Sequence, residues 1–500
     1  MLKIDNLTIT THKGRMLVND FSFVLHDSDK IALIGEEGNG KSTILKILAG
    51  IDVSDYVSYT GNITTDNIVG YLPQKIQEEW LDRTTDEYLF ENGEVDYPSY
   101  FDVLNSISID ESLLSNRIVS SLSGGEKVKL MLFKLLYNKN DLLLLDEPTN
   151  DLDLETLIWL ESFINKCDYP IIFISHDETL LRNCSNGILH LEQLKRKQEC
   201  KLSFSGEGYD EYYQRRKHNI ERTNQIAKKE KADFHKQLQK YYQIYQKVDH
   251  AQRTVSRQDP HGAALLKKKM HAVKALERNL EDREKNLTQK FEPGEAIDIF
   301  FEDIRINPNK IVLDYHSDLL TRGDRVLSRN IDLLVQGKDK ICIIGKNGVG
   351  KSTLIKDFVS QLRNRDDIRL GYIPQNYYEV MDYDISPVDY LYQTIDSKTV
   401  IQTFLGSLKF TPEEMSHRIS DLSEGQKCKI LFAKTIMEKD NVLILDEPSR
   451  NLSPLSNPTI RNMLSRYDGT IISVSHDRLF IDEVCDKVYE LTDDGLRLLQ

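Results

Sequence analysis

The chain holds 500 residues, 40% of them hydrophobic and 29% charged, with six cysteines and a net charge of −14. That length allows two or three domains, each able to bury a core, and the composition excludes both a disordered chain and a lipid-embedded one. The acidic total argues against a nucleic-acid partner unless positive charge is gathered locally.

The opening segment, Met1 to Thr11, has no basic stretch followed by an apolar core, and no run of about 18 apolar residues occurs anywhere. A cytoplasmic location is the expectation. The cysteines, Cys167, Cys184, Cys200, Cys342, Cys428 and Cys485, form no CxxC pair and have no histidine at ligand spacing. They are expected to be reduced thiols without a metal or disulfide role.

Along the chain, the first chemistry-bearing run is "IALIGEEGNGKSTILKIL", Ile31 to Leu48. An apolar strand is followed by Gly35, Gly38, Asn39, Gly40, Lys41, Ser42 and Thr43, which fit GxxxxGK[ST] ahead of a helix. Such glycines let backbone N–H groups close around phosphates at a helix N-terminus. The lysine reaches the terminal phosphates, and the serine hydroxyl can hold Mg²⁺. Next come "GYLPQ" ending at Gln74, "SLSGGEKVKL" with Ser123, Gly124 and Gly125, "LLLLDEP" with Asp146 and Glu147, and "IIFISHD" with His176. An acidic residue at that strand end can orient Mg²⁺, and the next is placed to polarise an attacking water.

All of these recur in the same order in the second half. The loop returns as Gly345, Gly348, Gly350, Lys351, Ser352 and Thr353, followed by Gln375, Ser423 with Gly425, Asp446 with Glu447, and His476. In both halves 23 residues separate the serine from the aspartate and 30 separate the aspartate from the histidine. One Gly-rich match alone can be an ordinary turn. Two matches at fixed spacing mark a duplicated module, residues 1–204 and 296–500, joined by residues 205–295. Short apolar runs alternating with amphipathic stretches predict a buried parallel sheet flanked by helices.

These motifs resemble the ATP-binding cassette superfamily, nearly end to end in both modules. The resemblance implies an ATP hydrolase with ATP and Mg²⁺ as cofactors. It makes Gln74 and Gln375 the residues that sense the γ-phosphate and join Ser42, Asp146, Ser352 and Asp446 around Mg²⁺. Ser123, Gly124, Gly125, Ser423 and Gly425 become signature residues, with Glu147, Glu447, His176 and His476 catalytic. Cassettes of this family meet head-to-tail, so the first phosphate loop should face the second signature and the reverse. An aromatic ring usually stacks on the base. His12 lies at about the family's spacing in the first module, and Tyr315 or His316 stands in for it in the second. The sites should be unequal: Asp153 has no acidic counterpart at Ser453, and Glu424 replaces a signature glycine, bringing negative charge toward phosphate.

The joining segment carries the local positive charge. Residues 206–290 hold about 20 Lys and Arg against about 12 Asp and Glu, a balance near +8 on an acidic body. Tyr213, Ile220, Ala227, Phe234, Tyr241 and Val248 recur every seven positions, with Leu238 and Tyr245 between them. Leu266, Val273, Leu280 and Leu287 repeat the period, helped by Met270 and Leu276, so two helices should pack antiparallel. The tip lies near residues 249–262. His250 to Gln258 carry Arg253 and Arg257 but no acid. Arg253, Arg257, His261, Lys267, Lys268 and Lys269 are the candidate RNA-contacting residues.

The arrangement is similar to the ABC-F proteins. It implies an α/β fold of two P-loop ATP-binding cassette domains joined by an antiparallel α-helical hairpin linker, acting as a monomer with intramolecular cassette pairing. It further implies binding at the E site of the 70S ribosome, near tRNA, with the linker reaching rRNA toward the peptidyl-transferase centre. The "SRNLSPLSNP" run and the extended linker resemble the branch that protects ribosomes from lincosamides, streptogramin A and pleuromutilins. Three features fit a housekeeping translation factor of this family less well. The spacing from Gln74 to Ser123 (49) and from Gln375 to Ser423 (48) leaves no room for an arm insertion, Asp151 stands where histidine is common, and no basic tail follows His476. Alternatives are an ABC-F translation regulator without a drug role, the tandem ATPase subunit of a membrane importer, and a DNA repair ATPase. An importer subunit needs no basic hairpin, and the repair class needs zinc-ligating cysteines. No membrane subunit is therefore expected.

Overall fold

The apolar runs that end at chemistry-bearing residues form the centre of each cassette. The computed structural model describes residues 1–499 except 91–94, 108, 110, 115, 195–198, 255–259, 289 and 291–303. In the first cassette the strands lie in the order Val69–Leu72, Leu142–Asp146, Ile171–Ile174, Lys30–Gly35 and Gly187–Leu194, all parallel, and Glu199–Ser205 closes the edge antiparallel. Every residue of the three central strands is buried, as covering by helices on both faces requires. The second cassette repeats the order with Leu370–Ile373, Val442–Asp446, Thr470–Val474, Lys340–Ile344, Lys487–Thr492 and Gly495–Leu498. In both, the strand before the histidine lies between the phosphate-loop strand and the aspartate strand. The loops after these three carboxyl ends therefore converge.

An antiparallel layer, absent from the sequence-based expectation, completes each cassette. Met16–Leu25, Leu2–Thr11 and Val57–Thr65 pair in that order, and Ile311–Arg322 pairs with Arg325–Gln336. Leu2, Ile4, Leu7 and Ile9 pack with Ile44, Leu45 and Leu48 of the phosphate-loop helix Lys41–Leu48. In the second cassette Val312, Tyr315 and Ile331 pack with Leu354, Ile355 and Phe358 of the helix Lys351–Arg363. Each phosphate loop is thus clamped between a parallel and an antiparallel sheet. The signature helices Gly124–Tyr137 and Glu424–Met437 both open with reciprocal capping boxes, Ser123 with Glu126 and Ser423 with Gln426.

The chain divides into two compact units, Met1–Asp210 with Gly294–Gln500, and Glu211–Pro293. The second rests on the helices Tyr209–Thr254 and Pro260–Lys285, 46 and 26 residues long. At 1.5 Å rise these span roughly 69 and 39 Å. Gln252 Nε2 donates to the Leu266 carbonyl, Arg283 to Gln237, and the Thr288 N–H to Glu230, so the helices run antiparallel. Phe234, Tyr241, Val273 and Leu280 form their core, flanked by Leu238, Val248, Met270 and Leu287. Tyr245 and Leu276, expected in the seam, are exposed. A two-helix contact buries one narrow stripe, and both fall outside it.

Candidate nucleotide-binding sites

The two cassettes meet head-to-tail within the first unit, so each phosphate loop faces the other cassette's signature helix. At the first site Gly40, with φ of 97°, opens the helix Lys41–Leu48, and Lys41 Nζ folds back onto the Gly35 and Glu36 carbonyls at 3.0 Å each. Ser42 Oγ donates to Asp146 Oδ1 at 2.9 Å, and Tyr71 Oη donates to Oδ2 at 2.8 Å. Gln74 Nε2 lies 3.3 Å from both Ser42 Oγ and Asp146 Oδ1. Serine, glutamine and aspartate, distant in sequence, thus form one oxygen-rich cluster beside half-buried Thr43. Across the interface, Gly38 lies against Ser423, and the Gly425 N–H donates to Glu37. Burial raises the Glu37 carboxyl, while the Gly425 N–H, His176 and Lys41 pull it back.

The second site is an open cavity of about 500 Å³. Gly348, Gly350, Lys351, Ser352, Thr353, Gln375, Asp446, Glu447 and His476 line it from one cassette and Gly124 from the other. Lys351 Nζ bonds the Gly345 and Lys346 carbonyls at 2.6 and 3.0 Å, as its counterpart does. Asn347 Nδ2 donates to the Asp151 carbonyl at 2.6 Å, and Arg450 pairs with the Asp151 carboxylate at 2.9 Å. Both contacts cross between the cassettes. Gly125 packs on Thr156, which leaves no room for a side chain.

The carboxylates after the two aspartates differ in environment. Glu147 and Glu447 share a left-handed backbone, with φ of 49° and 54°, a conformation that costs about 1–3 kcal/mol at a non-glycine residue. His176 Nε2 sits 3.2 Å from Glu147 Oε1, Asn150 donates to Oε2 at 2.7 Å, and His176 Nδ1–H donates to the Leu452 carbonyl of the other cassette at 2.6 Å. Burial alone would raise Glu147, but His176, Asn150 and Lys41 outweigh it and hold the carboxyl at about 2. At the second site burial dominates, with Asp446 adding to it, and Glu447 is pushed up to about 8. His476 Nε2 lies 3.8 Å from Glu447, and neither ring nitrogen has a hydrogen-bond partner among the described residues. Burial and then Lys351 lower His476 to about 4.

Several sequence expectations change in detail. Glu424 does not bring free charge toward the first site, because Lys427 pairs with it at 2.7 Å. Asp153 caps its own helix, Leu154–Lys166, by accepting from the Thr156 N–H at 3.0 Å, and Ser453 instead pairs with Ser456. Tyr315 is no base-stacking ring: its hydroxyl donates to Asp357 and its ring packs edge-on against Phe358. His316 is tied to Asp332 and Asp314. Arg322 and Arg325 line the cavity instead.

Tyr71, Asn150, Glu37, Arg450 and Leu452 join the sites without having been singled out from sequence. Only Tyr71 carried a signal, since "GYLPQ" and "GYIPQ" keep the tyrosine in both halves. In the hairpin unit, Arg253 pairs with Asp249 one turn back at 2.9 Å, so it is not an unopposed cation. His261, Lys267, Lys268 and Lys269 are exposed, and Arg257 lies outside the described residues.

No helix among the described residues is long and apolar enough to cross a membrane. A family model described as ABC transporter matches residues 18–150 and 328–450. The ATP-binding protein Uup of Buchnera aphidicola is 28% identical, covering 99% of this chain and 81% of that protein. ABC transporter F family member 5 of Arabidopsis thaliana is 27% identical, covering 99% and 75%. In fold, the chain is similar to an archaeal ribosome recycling factor, aABCE1, solved with the ribosomal stalk protein aP1, with a TM-score of 0.61, 16% identity, and coverage of 98% and 89%. Matched across both cassettes, and carrying two phosphate loops that each meet the opposite signature, the chain belongs to the ABC transporter family as a tandem-cassette, ATP-binding ATPase homologous to the ABC-F proteins.

Proposed function

We propose that the chain is a ribosome-associated ATPase that closes its two cassettes on ATP and presents its helical hairpin to RNA. The carrying observation is the segregation of charge: an acidic pair of cassettes encloses the sequence of a basic two-helix unit. Relatives named as F family members, and a fold shared with a ribosome recycling factor, support the reading.

In this mechanism Lys41 and Lys351 hold the terminal phosphates, and the backbone of each loop cradles the rest. Ser42, Gln74 and Asp146, and Ser352, Gln375 and Asp446, are hard oxygen donors, a set that fits Mg²⁺. When bound, the ion neutralises phosphate charge. Glu147 accepts the proton of the attacking water while His176 and Asn150 fix its orientation, and Glu447 is the corresponding base at the second site, where His476 stands 3.8 Å away. His176 is tied to Leu452 and Asn347 to Asp151, so hydrolysis at either site loosens contacts between the cassettes.

The finer reading places the protein in the E site of the 70S ribosome beside tRNA. The hairpin points toward the peptidyl-transferase centre, and ribosomes are protected from lincosamides, streptogramin A or pleuromutilins. Arg253, Arg257, His261 and Lys267 to Lys269 are the proposed rRNA contacts. A Glu147→Gln, Glu447→Gln double variant is expected to bind ATP without hydrolysing it and to co-sediment stably with 70S ribosomes. Recovery with membranes and no ribosome association would overturn the assignment. Drug susceptibility with and without the protein tests the protective role, and an unchanged susceptibility removes it.

A further inference from the structure

Positions 37 and 347 are among those at which the repeated phosphate loops differ. Asn347 of the second loop donates its amide to the Asp151 carbonyl, and the cavity of about 500 Å³ stays open between that loop and Gly124. The matching residue of the first loop is Glu37, whose carboxylate accepts the Gly425 N–H at the start of the 14-residue helix Glu424–Met437. The unpaired N–H groups of a helix start attract anions, and a carboxylate there makes a charge-assisted bond. Gly38 lies beside Ser423, so the loop that would hold a phosphate chain is already against that helix end. Lys427 neutralises Glu424, so the charge that Glu424 would set against an incoming phosphate is offset.

We propose that Glu37 sets the first site's preference between nucleoside triphosphate and diphosphate, because its carboxylate holds the seat that a terminal phosphate would take. The inference rests on the reading that ATP bridges the first loop and the second signature. A triphosphate must displace the carboxylate from Gly425, whereas a diphosphate ends short of it. The penalty falls on ATP alone. At the second site Asn347 stands at this position and donates to the Asp151 carbonyl instead.

The test uses the full chain with Lys351→Ala to weaken nucleotide binding at the second loop and Glu147→Gln to prevent turnover at the first. Dissociation constants for ATP and ADP are measured by displacement of a fluorescent nucleotide. Adding Glu37→Gln or Glu37→Ala is expected to tighten ATP about tenfold, the size of one charge-assisted hydrogen bond, and to leave ADP within about twofold. Glu36→Gln removes a charge one residue away, where the partner is Lys429 at 4.0 Å, and should leave the ATP-to-ADP ratio unchanged. Equal shifts for ATP and ADP, no shift, or the same ratio change from Glu36→Gln would overturn the proposal while the composite-site reading stands. Failure of ATP to bind this background at all would overturn both.

Discussion

Arg461 and Glu178 are 283 positions apart and join the two cassettes through a fully buried ion pair. Arg461 lies in the helix Asn457–Ser465 of the second cassette. Its Nη1 donates to Glu178 Oε1 at 2.5 Å, Nη2 donates to Oε2 at 3.2 Å, and Nε donates to Glu483 at 2.8 Å. Both members of the pair are 2% exposed. Burial opposes the guanidinium charge, but the bonds to Glu178 and Glu483 outweigh it and hold Arg461 above its ordinary range. Arg461→Met keeps the length and removes the cation. Glu178 would then be left buried with only Arg182, 3.8 Å away and itself partly exposed. Removing one partner of a buried pair costs about 3–5 kcal/mol, and Arg182 places this case at the low end, about 3 kcal/mol. That is roughly a 150-fold change in the equilibrium holding the cassettes in this arrangement. Adding Glu178→Gln removes the stranded charge, so the double variant should recover most of the loss. Urea unfolding of the wild type, the two single variants and the double variant closes the cycle. A coupling below about 1 kcal/mol, or a double variant as unstable as the summed singles, would refute the reasoning.

Asp440 is buried, its Oδ2 lacks a partner among the described residues, and burial with Glu438 pushes its pKa up to about 7. The folded state therefore binds the proton more tightly than the unfolded one, and the group's contribution falls as pH rises from about 4 to about 7. Asp440→Asn should raise the melting temperature at pH 8 more than at pH 4, and a pH-independent difference would contradict this. Glu147 is held by both His176 and Asn150, while Glu447 has His476 at 3.8 Å and no matching amide, so Glu147→Gln should remove the larger share of ATP turnover. Equal residual rates from the two single Glu→Gln variants would count against unequal sites. Phe234 is one of the four buried residues of the hairpin's apolar cluster among the described residues, and Phe234→Ala costs about 3–5 kcal/mol, more than so small a core sustains. Hydrogen exchange should quicken across Glu211–Pro293, while ribosome-free ATP turnover stays near wild type.

Much of this was legible because the parallel strands are continuous apolar runs that stop at functional residues. "LLLLD" and "VLILD" need burial on both faces, and that requirement alone identifies a central strand. The antiparallel layer was harder to see. Register shifts between Ile4, Leu7 and Ile9 break the alternation that would have marked the first strand. Tyr315 lies at a spacing that suggests a base-stacking ring, but spacing from a motif says nothing about which face of a strand a side chain takes. In the hairpin the seven-residue period locates Phe234, Tyr241, Val273 and Leu280, whereas the intermediate apolar positions divide, Leu238 and Met270 packing on the seam and Tyr245 and Leu276 standing exposed. Arg253 lies in a stretch free of acid, yet its partner, Asp249, stands one residue outside that stretch and one helical turn away.

The head-to-tail meeting of the cassettes follows from the family resemblance, but the individual side-chain contacts across it were not legible, and they are where the two sites part. At residues 37 and 347 the duplicated loop carries Glu and Asn. One accepts from the opposite signature helix and the other donates to the opposite backbone. At residues 150 and 450 it carries Asn, which orients Glu147, and Arg, which reaches across to Asp151. At residues 153 and 453 the acid caps a helix, whereas the serine pairs with a neighbouring hydroxyl. None of these changes alters a strand, a glycine turn or a capping box, so the fold tolerates them. The pair at 150 and 450 changes which cassette a side chain grips, and with it the force that one site exerts on the other when phosphate leaves. Divergence of a duplicated ATPase at such positions can make one site a switch and the other a latch without touching the residues that define either motif.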